Sequence, residues 1–462
     1  MRDILVATVF FAGLFFALRR PYAAALLWVW VGLMNPHRLG WGFAYSFPFA
    51  MIAACVLAVS MVLNRDKVRL PGGSAIVLLL LFVVWMGITS SAAIVLNESV
   101  KRYLEVLKVL LMIFAVASVV RTREEILGLV LVSAGSIAFF GVKGGIFTIL
   151  TGGSHRVWGP PGSVIEGNNE LAVALIVIVP LLYYLVTQAA SLKQLPFVKA
   201  FPEKWMRRGL YLGMILCMIA ALGSHSRGAL LAIAAMSGVF WWRSKSKVAM
   251  GMVILMVAAF ALMFMPEGWM ERMHTIENYQ EDASAMGRIN AWTMAVNIAN
   301  DRLLGAGFET ATPVVYQRYA PNPNLLLVAH SMYFSVLGEH GYIGLLIYLG
   351  FWFATYRTAG RICRTTTGVE ELHWAYLLGS MAKTSLIGLA VGGAFLSLAY
   401  WDMPYYIMVM LVCTERLARE TLKENGWKKP SPGGMRPTAL PGGGGTLFPE
   451  TRSLKGKAHH AG

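Results

Sequence analysis

Cationic and titratable side chains stand out in a hydrophilic stretch, 266–329, that interrupts an otherwise apolar chain. The stretch contains Arg288, Arg302 and Arg318, and it ends beside His330, where a new apolar run begins. Guanidinium groups bind phosphate through charge-assisted, often bidentate hydrogen bonds. A histidine titrates near neutral pH and can act as a general base. The stretch therefore predicts a water-facing site where a phosphate-bearing substrate could bind.

His330 is the sharpest candidate for acid–base chemistry, because it is predicted at the outer end of an apolar helix with access to water. A lone histidine is also a common structural residue, so both interpretations stay open. His340, deeper in the same run, is a weaker rival. Glu339 lies about two and a half helical turns beyond His330, on the opposite face of an ideal helix. We therefore expect Glu339 to tie helices together rather than to form a dyad with His330.

A second candidate anion site lies in the segment SHRVWGPPGSVIEGNNELAVAL. Arg156 and a turn rich in Gly and Pro come before Asn168 and Asn169, which open an apolar run. Free N–H groups and the helix dipole favour negative charge at such a helix start. The alternative is an ordinary capped loop with Asn169 as the N-cap residue.

Two further arginines have competing interpretations. Arg227 lies between two apolar runs, where it either meets an anion or extends its side chain to the membrane interface. Arg288 lies four residues before Trp292 on one face of a predicted helix, so the pair could form a simple cation–π contact.

The apolar runs predict an all-α polytopic membrane protein. Runs of about 16 to 25 residues recur along the chain, and a backbone in hydrocarbon has to satisfy its own hydrogen bonds. We expect about 12 transmembrane helices and a large, partly helical loop. The predicted spans are 3–18, 21–36, 44–63, 74–96, 103–120, 126–150, 169–188, 208–224, 228–242, 248–265, 333–356, 374–398 and 403–415.

The distribution of Lys and Arg predicts the orientation. The cation-rich connections alternate regularly along the chain, so the positive-inside rule can place all of them in the cytoplasm. They are 65–69, 121–123, 193–208, 243–247, 357–364 and the chain from 416 onward. Five predicted external cations run against this rule and need another cause: Lys101, Arg102, Arg156, Arg227 and Arg288.

This topology divides the chain into four predicted parts. Residues 1–265 form transmembrane helices with short loops, 266–330 form a periplasmic loop that bears part of the active site, 331–418 form the C-terminal transmembrane helices, and 419–462 form a disordered cytoplasmic tail. The net charge of +16 is mostly explained by the topology and the tail. Membrane lipids are therefore expected partners, and nucleic acid is not.

The sequence lacks the motifs of several common enzyme classes. It has no Walker A loop, no paired-carboxylate DxD motif, no HExxH and no GxSxG. The 4 cysteines stand at no metal-like spacing. We therefore expect no metal site and no cofactor, and any phosphate would be bound by arginines on the outer side.

An ordered set of motifs resembles the O-antigen ligase and O-antigen polymerase superfamily. The motifs are RVWGPPGSVIEGNNELA, HSRGALLAI, MGRINAW, LLGAGF and HSMYFSVLGEHGYIGLLIYL. The N-terminal segment RRPYAAALLWVWVGLMNPHRLGWGFAYSFPFAM resembles the ligase branch that includes the exosortase-associated O-glycosylation ligases. The resemblance covers most of the chain up to about Arg419.

The resemblance implies a metal-independent, membrane-embedded glycosyltransferase of the GT-C type. Such ligases move a glycan from undecaprenyl pyrophosphate to lipid A–core at the periplasmic face of the bacterial inner membrane, during lipopolysaccharide biosynthesis. Direct attack by the acceptor would invert the anomeric configuration. Open alternatives are a protein O-glycosylation ligase, an O-antigen polymerase and, from another class, a transporter of lipid-linked oligosaccharides. Transport predicts charges at mid-membrane, whereas the candidate residues here cluster at one face.

The resemblance also implies roles for individual residues. Arg156 and Arg288 correspond to positions near the pyrophosphate, and His330 to a position near the sugar-transfer centre. Arg227 matches the SRG element of the family, which could also serve structure. Possible supporting residues besides Arg227 are Lys101, Arg102 and Glu339.

Overall fold

The computed structural model describes residues 1–196, 198–243, 246–263 and 283–426, and this part of the chain is helical, without β-strands. The α-helices are α1 Arg2–Ala17, α2 Pro21–Met34, α3 Phe49–Leu63, α4 Ser74–Ser91, α5 Leu96–Val119, α6 Arg123–Leu150, α7 Asn168–Thr187, α8 Ala189–Leu192, α9 Glu203–Gly223, α10 Arg227–Arg243, α11 Lys247–Met263, α12 Ala283–Asp301, α13 Pro313–Tyr319, α14 Met332–Thr366, α15 His373–Gly392 and α16 Asp402–Glu424. Short 3-10 helices are Pro36–Leu39, Phe43–Tyr45, Arg65–Lys67, Glu370–Leu372 and Gly393–Phe395.

The helices agree with the predicted membrane protein. Among the described residues, 6 helices are long and apolar enough to cross a membrane. They are Ser74–Ser91, Arg123–Leu150, Asn168–Thr187, Glu203–Gly223, Met332–Thr366 and Glu370–Phe395. The all-helical, membrane-spanning class is thus confirmed, and the larger number of about 12 spans, the domain boundaries and the orientation stay predictions.

Some helix boundaries differ from those predicted. Helix α4 ends at Ser91 rather than at 96, and α5 begins at Leu96 rather than at 103. The predicted limits followed hydrophobicity alone. Helix α5 instead starts in a polar turn that includes Glu98 and Lys101, because a helix that extends beyond the hydrocarbon can keep charged side chains in water.

Helix α7 lies at the centre of the bundle. Most of its side chains are buried, and it packs against α6, α9, α10 and α15. A continuous apolar sequence such as LAVALIVIVPLL suits this position, because every face of the helix meets another helix. Its first turn, which begins at Asn168, is held in place from several sides.

Two glycine-rich motifs dock against each other and join the polar stretch to α14. The Ala306 amide donates to the Gly338 carbonyl, and the Gly307 amide donates to the Glu339 carbonyl, each at 2.9 Å. Helix α14 breaks at Gly341, where φ is 67°. A Cβ atom on Gly307, whose φ is 80°, would lie 2.2 Å from Ala93 Cβ. Position 307 therefore requires glycine, both because of its backbone conformation and because Ala93 lies so close.

The chain divides into the units Met1–Arg419 and Glu420–Gly462. Of the second unit, the structure describes the end of α16 and the following residues Asn425 and Gly426. The disordered tail predicted from the sequence lies outside the described residues from 427 onward, as does the beginning of the predicted polar loop up to 282.

Candidate functional site

His330 is held immediately before α14. Its backbone has a φ of 43°, in the left-handed region that costs a residue with a side chain about 1–2 kcal/mol. The next residue, Ser331, caps α14 by accepting a hydrogen bond from the Phe334 amide at 3.5 Å. On the other side, the Trp292 indole donates to the Ala329 carbonyl at 2.6 Å. The half-buried imidazole is therefore fixed by its neighbours in the chain.

Helix α12 supplies the support for this segment. Asn290 donates to the carbonyl groups of Asn322 and Leu325 at 2.9 and 3.1 Å. One half-turn later, Trp292 stacks on Phe334 with ring centroids 4.9 Å apart. The segment that leads to His330 thus follows the surface of α12.

Arg288 lies one turn before Trp292 on α12 and acts electrostatically on His330. Burial, and then the positive charge of Arg288, lower the pKa of His330 below its ordinary value of 6.5. A lowered pKa keeps the imidazole neutral at pH 7, which is the form that can accept a proton. The structure thus brings together two of the residues that the sequence selected.

Glu170, which the sequence analysis did not select, is the third member of this group. It lies in the first turn of α7, and its carboxylate is close enough to Arg288 for an electrostatic interaction. The carboxylate folds back on the start of its own helix, since a Cβ on Gly167 would lie 2.1 Å from Glu170 Oε2. The sequence did offer a signal for this residue, because Glu170 is the acidic residue of the motif NNELA. Glu170, Arg288 and His330 join α7, α12 and the start of α14.

The start of α7 corrects one sequence-based interpretation. Asn169 is not the N-cap residue, because α7 already begins at Asn168 and its N-cap residue is Gly167. The Asn168 side chain donates instead to the Ser224 carbonyl at 2.8 Å. This bond connects α7 to the turn between α9 and α10.

The loop that carries Arg156 is attached to the same turn. The His225 Nε2 atom donates to the Gly153 carbonyl at 2.9 Å, and the Val157 amide donates to the Gly223 carbonyl at 3.3 Å. The half-buried Arg156 is therefore held at the junction of this loop with the α9–α10 turn. It is positioned by these contacts rather than by α12.

Arg227, the first residue of α10, lies at this junction too. A Cβ on the adjacent Gly228 would lie 3.6 Å from Phe395 Cβ. The Phe395 ring is also 6.5 Å from the Trp292 ring. The start of α10 and the Trp292 side of α12 therefore meet at the same short turn, Gly393–Phe395.

Other candidate residues form a second polar cluster. Arg102 on α5 lies 2.9 Å from Glu105 and 3.8 Å from Glu309. Glu339 accepts a hydrogen bond from the Tyr400 hydroxyl at 2.6 Å, and it also interacts electrostatically with Arg102 and Glu309. Glu339 thus ties α14 to the segment before α16.

His340 completes the interior of this cluster. Its side chain is fully buried, with Nδ1 2.7 Å from the Thr89 hydroxyl and Nε2 2.9 Å from the Tyr400 hydroxyl. Both ring nitrogens are engaged, which suits a structural residue. Lys101 of α5 is exposed.

The structure distinguishes Arg302 from Arg318, both of which the sequence selected as phosphate-accessible cations. Arg302 donates to the Gly305 carbonyl at 2.9 Å and to the Ala92 carbonyl at 2.7 Å, so it fastens the glycine motif to the end of α4. Arg318 pairs with Asp301 at 3.5 Å. Arg302 is thus used within the fold, which sequence spacing alone could not reveal, whereas Arg318 remains exposed to solvent.

The described residues contain no group of three or more His, Cys, Asp or Glu placed to hold a metal ion.

Comparisons with known families cover much of the chain. Residues 212–349 match the family model described as O-antigen ligase. This matched region, 212–349, is called the O-antigen ligase domain below. The predicted resemblance to this superfamily is thereby confirmed. The O-antigen ligase domain contains Arg227, Arg288, His330 and Glu339.

The N-terminal region matches a different model. Residues 1–190 match a family of unknown function (DUF5935), and this region contains Lys101, Arg102, Arg156 and Glu170. No curated protein matches the chain. The candidate site therefore combines residues of the O-antigen ligase domain with at least Glu170 from the N-terminal region.

Proposed function

We propose that the chain is a membrane glycosyltransferase of the GT-C type that moves a glycan from undecaprenyl pyrophosphate to lipid A–core. The observation that carries this proposal is the grouping of Glu170, Arg288 and His330 at the start of α14, within and beside the O-antigen ligase domain. A neutral base beside a fixed cation suits a reaction in which a hydroxyl loses a proton while a phosphate departs.

Arg288 stabilises the leaving group. When the bond between the anomeric carbon and the pyrophosphate oxygen breaks, negative charge develops on that oxygen. A guanidinium group can stabilise this charge through directed hydrogen bonds. Arg156, at the neighbouring loop junction, contributes a second cation for the same pyrophosphate. Glu170 limits the orientations of Arg288 by attracting its charge, and it is a positioning residue.

His330 activates the acceptor. The acceptor hydroxyl oxygen attacks the anomeric carbon, the glycosyl–oxygen bond breaks, and undecaprenyl pyrophosphate leaves with the bonding electrons. The proton of the hydroxyl passes to neutral His330. This single displacement inverts the anomeric configuration. General-base assistance of this kind contributes about 10²–10⁴-fold to the rate.

The proposed location is the periplasmic face of the bacterial inner membrane. Cation alternation supports this orientation for the 151–168 loop and for the segment before α14. Single cysteines at exposed Ser154 and exposed Thr367, in a background without the native cysteines, test it. A membrane-impermeant maleimide should label position 154 in intact spheroplasts and position 367 only after lysis. Labelling with the reverse sidedness would contradict the orientation.

Reconstitution with two acceptors tests the activity. Purified protein in liposomes receives an undecaprenyl-pyrophosphate-linked glycan and either lipid A–core or a second lipid-linked glycan. Glycosylated lipid A–core is the expected product. An elongated lipid-linked glycan would indicate a polymerase. Transfer only to an added acceptor protein would indicate a protein O-glycosylation ligase. Movement of intact donor across the bilayer would indicate a transporter.

A further inference from the structure

A cavity of about 190 Å³ lies between the end of α2, the loop before α7 and the start of α16. Its lining includes Asn35, Ser163, Trp401 and Asp402. The proposed transfer mechanism uses none of these side chains. We propose that this cavity binds a single sugar residue of a substrate glycan, an assignment that rests on the proposed glycosyltransferase function.

Three lining side chains, Asn35, Ser163 and Asp402, can offer hydrogen-bond acceptors to the cavity. The Asn35 Nδ2 atom donates to the Gly32 carbonyl at 3.2 Å, which leaves its Oδ1 atom able to accept. The Ser163 hydroxyl donates to the Pro160 carbonyl at 2.7 Å, so its oxygen also keeps acceptor capacity. Burial raises the pKa of Asp402 to about 7, and its carboxyl group keeps an acceptor oxygen in either protonation state. Several acceptors facing one space match the hydroxyl groups of a sugar, which donate.

The charge of the cavity argues against a phosphate occupant. In its ionised form, the Asp402 carboxylate would repel the donor pyrophosphate, and Arg288 already provides a cation for that group. Arg38 is near the part of the lining formed by Gly162, since its guanidinium carbon lies 3.8 Å from the position of a Cβ on Gly162. One cation and one carboxylate suit an uncharged polyhydroxylated ligand that accepts and donates hydrogen bonds.

The apolar lining and the volume of the cavity further limit which ligands could bind. Leu33, Ile165 and the Trp401 ring supply buried apolar surface against which the C–H groups of a sugar ring can pack. Such mixed lining, apolar with a few placed polar groups, is typical of small-molecule sites. The volume is below the range of roughly 300–1,000 Å³ for drug-sized ligands. The cavity therefore suits one ring rather than an oligosaccharide.

The cavity also gives a role to the N-terminal region. Asn35 and Ser163 belong to the region that matches the family of unknown function, whereas Trp401 and Asp402 follow the O-antigen ligase domain. Tyr400, the residue before Trp401, bonds to Glu339 of α14. A sugar in the cavity would thus contact both the N-terminal region and the segment that follows the O-antigen ligase domain, and Tyr400 links that segment to α14.

Substitutions at Gly32 can fill the cavity without changing its charge. A Cβ on Gly32 would lie 3.7 Å from Asp402 Oδ2, which is an ordinary contact. Gly32→Ala should therefore fold and bind normally, whereas Gly32→Phe should occupy the cavity. Gly135→Phe is the matched control, because a Cβ on this helical glycine has no neighbour within 4 Å. Asp402→Asn removes the charged acceptor at nearly constant volume.

Binding is measured with the full-length protein in detergent and two water-soluble probes. The probes are deacylated lipid A–core oligosaccharide and the donor glycan released from its lipid carrier. We expect Gly32→Phe, which occupies the space, and Asp402→Asn, which replaces an acceptor oxygen, each to weaken binding of one probe by about tenfold or more. The affected probe identifies the acceptor or the donor as the source of the sugar. Unchanged affinity of Gly32→Phe for both probes would overturn the proposal.

Transfer measurements separate this proposal from the proposed function. For the affected substrate, Gly32→Phe should raise KM while kcat changes little. Lost probe binding in a protein whose wild type transfers no glycan would support the cavity and contradict the proposed function. Normal transfer and normal KM in Gly32→Phe would support the function and contradict the cavity assignment.

Discussion

Replacing His330 tests the chemistry of the site through both rate and pH. His330→Ala removes the proposed base, and His330→Gln keeps a hydrogen-bonding side chain that cannot accept a proton at neutral pH. If His330 is a general base, both variants should bind the lipid-linked donor normally and transfer glycan about 10²–10⁴-fold more slowly. That range corresponds to about 3–5 kcal/mol of transition-state stabilisation.

The surroundings of His330 determine the pH dependence. Burial and Arg288 lower its pKa below 6.5, so protonation, and with it the loss of the base, occurs as the pH falls through a value below 6.5. An ordinary imidazole is half protonated at pH 6.5, whereas His330 is more than half neutral there. The wild-type rate at pH 6.5 should therefore exceed half of its plateau at higher pH.

The assay follows kcat/KM for the donor from pH 5 to 9, which reports the titration of the free enzyme, with donor affinity measured in parallel. Two results would refute the assignment. One is a wild-type acidic midpoint above pH 6.5, which would require a different titrating group. The other is His330→Gln with near-normal turnover, which would make the residue structural and leave attack driven by the arginine-stabilised leaving group.

Arg288→Lys keeps the charge but loses the planar, bidentate geometry, so transfer should fall at least about tenfold with normal protein levels, and full activity would count against directed recognition of the pyrophosphate. Glu170→Gln removes the carboxylate that interacts with Arg288, and it should lower kcat less than Arg288→Lys does. Glu170→Asp keeps a carboxylate and should retain part of the rate that Glu170→Gln loses. Equal rates for the wild type and both Glu170 variants would contradict a positioning role. Gly307→Ala should lower the free energy of unfolding by about 2–5 kcal/mol, the sum of left-handed strain and overpacking against Ala93. Gly368→Ala is the control, because Gly368 has the same φ of 80° but no atom within 4 Å of the added Cβ. Thermal unfolding in detergent should show only the smaller loss of stability that comes from the left-handed conformation. Equal losses of stability in the two variants would contradict the clash with Ala93.

Much of the fold was predictable because lipid imposes a simple rule on the sequence. Apolar runs had to become helices, and each predicted span coincides with a helix in the described part of the chain. The position of His330 before α14 followed from the same rule, since the apolar run begins at the next residue. Several helix limits differed, among them the start of α5 at Leu96 and the ends of α14 at Thr366 and α16 at Glu424, where charged residues continue a helix beyond its apolar part.

The grouping within the site was less accessible from sequence. Glu170 and Arg288 are far apart in the chain, and they meet because α7 is the central helix and α12 packs beside the start of α14. Arg302 has the same residue type as Arg288 but a different role, because the backbone carbonyl groups of Ala92 and Gly305 surround it. Residue type indicated which groups could bind phosphate, and only tertiary packing distinguished them.

The most direct test of arginine-assisted glycan transfer uses purified wild-type protein in liposomes with an undecaprenyl-pyrophosphate-linked glycan, lipid A–core and excess EDTA. The amounts of glycosylated lipid A–core and of released undecaprenyl pyrophosphate are measured together over time. We expect the two products to form in equal amounts at a rate that EDTA does not change, and Arg288→Lys to slow both equally. Loss of transfer in EDTA with recovery on adding Mg²⁺, or release of the lipid pyrophosphate without glycosylated product, would contradict the proposed mechanism.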